Sequence, residues 1–246
     1  MNTRALLDQL FKSGQSLLQD RQGSKGGGGL GDLLGAVKGK TSGSSGGLGG
    51  LLSGAGGGAM AASAMSILLG SKKARSYGGK ALTYGGLAAL GVLAYKALGN
   101  WQARQAGAPQ IEPRTLDRLP PAQVEEHSQA ILKALVAAAK SDGHVDDRER
   151  ALIEGEFAKL DNDSELKQWL HRELNTPLDP AEVARAAQTP EMAAEMYLAS
   201  VMMVDQENFM ERAYLDELAR QLKLDPDLRQ ELEGQAKAAE TQAAGQ

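Results

Sequence analysis

From Ala122 onward, hydrophobic residues recur at helical spacing; before it they cluster in Gly-rich runs with no sustained period. Val124, Ile131, Leu132, Leu135 and Val136 predict a helix over about 122–140. Ser141-Asp142-Gly143 ends it, with the glycine supplying a left-handed position. A second helix starts at Asp146, with Glu149 three residues on as in a capping box, and runs to about 160. Ser164 caps a third helix, to about 174. Asp179-Pro180 and Thr189-Pro190 read as cap-plus-proline starts for a fourth and a fifth. The fifth carries Met192, Met196, Tyr197, Val201 and Met202. A sixth covers about 208–223, and Asp225-Pro226 opens a seventh. No segment alternates with period two. The pattern predicts an all-α domain over 122–240, seven helices joined by short loops.

Upstream, residues 78–99 carry only two charges, Lys80 and Lys96, one near each end. A helix of that length reaches roughly 33 Å, against a hydrocarbon core of ~30 Å. Tyr77 and Tyr84 lie towards one end, Tyr95 and Trp101 towards the other, as an interfacial belt does. The expectation is a membrane helix over 78–99, inside a membrane-associated region at 59–101. Gly78, Gly79, Gly85, Gly86 and Gly91 recur near heptad spacing, on a face where another backbone can approach. The alternative is a Gly/Ala-rich helix folded against its own domain.

Residues 1–21 predict an amphipathic helix with Leu6, Leu7, Leu10, Leu17 and Leu18 near one face, suited to a membrane surface, a partner or a frayed end. Residues 22–58 are Gly/Ser-rich and predicted flexible. They hold a small repeat, residues 28–34 echoed at 46–52, that lacks the Gly-Lys-Ser/Thr of a phosphate loop. Residues 102–121 read as a linker broken by Pro109, Pro113, Pro120 and Pro121.

Charge divides the chain in the same place. Residues 1–118 hold 14 Lys/Arg against 5 Asp/Glu, a net +9, and residues 119–246 hold 13 against 26, a net −13. A basic half suits anionic headgroups; an acidic half suits solvent, cations or basic partners. The basic residues are dispersed and barely interleaved with aromatics, which argues against nucleic acid. The absence of cysteine excludes disulfides, thiolate metal sites and cysteine catalysis. Residues 1–20 lack the apolar core and cleavage site of a secretory signal. No small-molecule substrate is indicated, and neither a Gly-x-Ser-x-Gly elbow nor a His-Glu-x-x-His pair occurs.

Two parts of the acidic domain resemble each other. Lys140-Ser141-Asp142-Gly143-His144 precedes Glu149-Arg150-Ala151, and Val204-Asp205-Gln206-Glu207 precedes Glu211-Arg212-Ala213. Each is an apolar helix, an Asp turn, then Glu-Arg-Ala opening the next helix. Together with Leu215 and Leu218-Ala219, these residues resemble the tellurite-resistance TerB-like fold. With the Gly-rich half in front, the layout is similar to the DUF533 group of bacterial inner-membrane proteins. The resemblance implies a seven-helix bundle with an acidic site for a divalent metal, a membrane and stress-response setting, and no enzymatic activity. The second turn departs from the pattern: Asp205 is followed by Gln206, and Glu211 sits six residues on rather than seven.

Asp142, Glu149, Asp205 and Glu211 are therefore the candidate ligands for a hard cation, Ca²⁺ or Mg²⁺, both of which choose carboxylate oxygens. The competing reading is helix-end chemistry, since first-turn carboxylates meet the helix dipole favourably. His127 and His171 read as surface residues and His144 as a loop residue. The expected function is a non-enzymatic inner-membrane protein, its acidic domain docking partners or sensing cations. Self-association or pairing with another span would run through the glycine face. The side of the membrane on which the acidic domain lies stays open.

Overall fold

The protein is described by a computed structural model covering residues 3, 4, 7, 78–105, 112–143, 164–204 and 208–244. The segments 22–58 and 59–77, the second expected helix at 146–160, Glu149 and Asp205 lie outside the described residues.

Helix α5 (Pro190–Met203) is the axis of the fold. Every residue from Met192 to Met203 is buried, as in a helix surrounded by others. The Thr189 side chain accepts a hydrogen bond from Met192 N–H, and Pro190 occupies the first turn, where no amide donor is needed. Five helices and one 3-10 turn pack around it or on its neighbours: α1 (Gly78–Arg104), the turn Leu116–Arg118, α2 (Pro121–Ala139), α4 (Pro180–Ala184), α6 (Phe209–Gln221) and α7 (Pro226–Ala244). Helix α3 (Ser164–Asn175) lies against α2. No strand occurs among the described residues. Asp179, Asn208 and Asp225 cap α4, α6 and α7 by accepting from amides of the first turn. Gly143 takes the left-handed conformation expected of it, at φ +77°.

Helix α1 departs from expectation. No helix among the described residues is long and apolar enough to cross a membrane. Glycine and alanine fill much of α1, and they add little hydrophobicity per residue. Its C-terminal half joins the bundle instead. Leu90, Ala94, Ala97 and Leu98 enter the common core, against α5 and α7. Asn100 donates to Glu231 at 2.7 Å, Arg104 pairs with Glu231 at 2.5 Å, and Trp101 Nε1 donates to Asp225 at 3.2 Å. Gly91 approaches a loop of the same chain: a Cβ there would lie 2.7 Å from Asp117 Oδ1 and 2.9 Å from Asp117 N. Gly78, Gly79, Gly85 and Gly86 sit in the same helix.

Described residues at both ends of the stretch expected as a linker are seated. Helix α1 continues to Arg104, and Thr115 and Leu116 are buried. The Arg118 guanidinium lies 3.9 Å from the centroid of the Tyr95 ring, a cation–π contact one turn along from Gly91.

Candidate functional site

The acidic corner is built where α2 ends. Ser141 Oγ donates back to the Ala138 carbonyl, and Gly143 N–H donates to the Lys140 carbonyl, closing the turn that carries Asp142. Lys140 donates through Nζ to the carbonyls of Glu173 (2.7 Å) and Thr176, so this lysine satisfies the end of α3. A Cβ on Gly143 would stand 4.0 Å from Met210 Cε. The Asp142 turn and the first turn of α6 are thus neighbours. Asn208 caps α6 by accepting from Met210 N–H at 2.9 Å. Glu211, in that same first turn, is buried. Of the four candidate ligands, the structure therefore brings the elements carrying Asp142 and Glu211 together. No group of three or more His, Asp or Glu side chains able to hold a metal occurs among the described residues.

Beside this turn stand two exposed apolar side chains, Phe209 (81% exposed) and Met210 (56%). Among the described residues only Val92 (41%) is a further large hydrophobic left in solvent. A shallow groove of about 250 Å³ lies elsewhere, between α2 and α3, lined by Glu126, Gln129, Lys133, Trp169 and Gln188.

A second polar centre lies inside the bundle. Glu195, fully buried on α5, accepts from Leu116 N–H at 2.5 Å and bonds His127 Nδ1 at 2.8 Å. One carboxylate thereby joins α5, α2 and the 3-10 turn. Burial pushes its carboxyl above the ordinary range; the His127 and Leu116 hydrogen bonds pull it back down in part. His127 was expected at the surface and is buried, because it shares the face of α2 with Val124 and Ile131 and has a carboxylate to meet. The signal was Glu195 itself, a charge inside the apolar run Met192–Met203, which demands a partner.

A third network ties α7 down. Tyr197 OH donates to Glu233 at 2.6 Å, and Arg229 bridges Glu233 (2.9 Å) and Asp216 (2.5 Å) with its guanidinium 5.8 Å from the Tyr197 ring. Burial, then the Glu233 carboxylate, holds the Tyr197 phenol above the usual range. These groups are engaged with one another and perform structural work.

The chain is 36% identical over 112 residues to an "Uncharacterized protein in ampR 5'region" of Yersinia enterocolitica, covering 46% of this chain and 81% of the relative. No solved structure matches. Residues 54–236 match the family described as "Protein of unknown function (DUF533)", and the chain belongs to that family.

Proposed function

We propose that this protein is a non-enzymatic adaptor at the bacterial inner membrane, which docks a protein partner through the corner formed by Phe209 and Met210. The observation that carries the reading is the exposure of these two adjacent side chains on the first turn of α6. Two adjacent exposed apolar side chains give a partner an apolar surface to cover. The basic residues before α1 supply attraction to anionic headgroups, and the acidic helices after Leu119 are repelled by them. Membrane attachment then runs through surface contacts.

Photocrosslinking from position 209 in cells tests the docking corner: discrete adducts are expected, and a blank lane at 209 with adducts at a control position such as Gln242 sinks it. Alkaline carbonate extraction tests the attachment. Release into the supernatant is expected; retention in the pellet restores a span.

A second reading, divalent-cation sensing, is favoured by the nearness of the Asp142 turn and the start of α6. Its ligands would be Asp142 and Glu211 with Glu149 and Asp205. Calorimetric titration of the full chain with Ca²⁺ and Mg²⁺ should give heat that Asp142→Asn abolishes; no heat in the wild type removes the reading.

A further inference from the structure

The N-terminus of the chain ends on the bundle. Thr3 N–H donates to Glu125 Oε1 at 2.6 Å, and Arg4 N–H donates to Glu125 Oε2 at 3.3 Å. Both residues are helical, so one carboxylate of α2 receives two helix amides. One turn on, Leu7 is fully buried and belongs to the same apolar cluster as α5. Thr3 is fully buried too. The contact spans more than a hundred residues of sequence, and residues 8–77 form its covalent tether.

The seat is not fully satisfied. Thr3 Oγ1 is buried without a hydrogen-bond partner. An orphaned hydroxyl costs on the order of 1–3 kcal/mol relative to its hydrated state. Releasing Thr3 rehydrates its hydroxyl. The seat thus combines a charged grip and an apolar anchor with a built-in penalty that favours release.

We propose that the N-terminal segment is a detachable intramolecular latch, seated on Glu125, whose release frees Leu7 for a lipid surface. The lipid half of this statement rests on the membrane reading above; the latch itself does not. Tethering makes closure intramolecular, at an effective concentration on the order of a millimolar, so a second copy at micromolar concentration does not compete.

Amide hydrogen exchange at residues 3 and 4 of the full chain tests the latch directly. Glu125→Ala should lower their protection at least tenfold while the amides of α5 stay protected. Thr3→Val removes the orphaned hydroxyl at constant shape and should raise protection several-fold. Equal exchange in the wild type and Glu125→Ala, or loss of protection in Thr3→Val, overturns the latch. With no native cysteine, Arg4→Cys with Gln123→Cys gives a clean spin-label pair. One short distance is expected, unchanged between 10 µM and 200 µM protein by design; short distances between singly labelled chains mean exchange between copies and overturn the intramolecular assignment. Vesicles containing phosphatidylglycerol should lengthen that distance and bind Glu125→Ala more tightly than Thr3→Val. Exchange data as expected with equal vesicle binding by both variants overturn the lipid half alone.

Discussion

Glu195 is the residue whose ionisation the fold must accommodate. Its raised pKa means that the folded state holds the proton more tightly than the unfolded chain. The sign follows: its contribution to stability is greatest below the ordinary carboxylate range and is lost as pH rises through the raised value. Glu195→Gln mimics the protonated acid, accepting from Leu116 N–H and donating to His127. Melting curves from pH 4 to pH 8 should show the variant gaining on the wild type as pH rises; parallel curves count against the assignment. Glu195→Ala, which strands the Leu116 amide and His127, should cost about 2–4 kcal/mol at low pH and less as pH rises. Glycines separate in the same way. Gly91→Ala drives a Cβ against the Asp117 backbone and should destabilise by about 1–3 kcal/mol. Gly99→Ala and Gly234→Ala meet open space within helices and should stabilise by about 0.5–1 kcal/mol each in denaturant titration. Tyr197 and Tyr214 are both held above the usual phenol range by burial, so absorbance titration should show a late-ionising component that Tyr197→Phe and Tyr214→Phe each reduce.

At the scale of the element, α1 is the helix whose surroundings decide its role. Leu90, Ala94, Ala97 and Leu98 form one stripe, and Gly91 with Tyr95 forms another against the Thr115–Arg118 segment. A helix used on two faces by its own chain is a structural member of the bundle. Leu90→Ala should therefore lower the stability of the purified protein by about 2–4 kcal/mol. A helix engaged only with lipid would leave that stability unchanged. The same elements explain which expectations were met. Caps at Asp179, Thr189 and Asp225, and the left-handed Gly143, appear where a cap residue, proline or glycine announced them. Those signals are local, set by backbone geometry within four residues.

Across the whole molecule, α1, the 3-10 turn and the later helices share one buried cluster, in which Leu116 and Leu7 also take part. Trp101 stands on the α1–α7 contact and Trp169 on α3, so the only two tryptophans report from different parts. Single-tryptophan variants should unfold in urea with coincident midpoints; an earlier transition at Trp101 would separate α1 from the bundle. The sequence by itself determined the helical class, the helix starts from 164 onward and the charge division between the halves, because periodicity, caps and composition are properties of neighbouring residues. Only the tertiary structure decided what α1 packs against, that His127 is buried, and that Glu125 grips the N-terminus. Each of those depends on a partner supplied from far along the chain, Leu232 and Ala236 beside α1 in the core, Glu195 for His127 and Thr3 for Glu125. Hydropathy scores a segment alone; burial is settled by which surfaces meet.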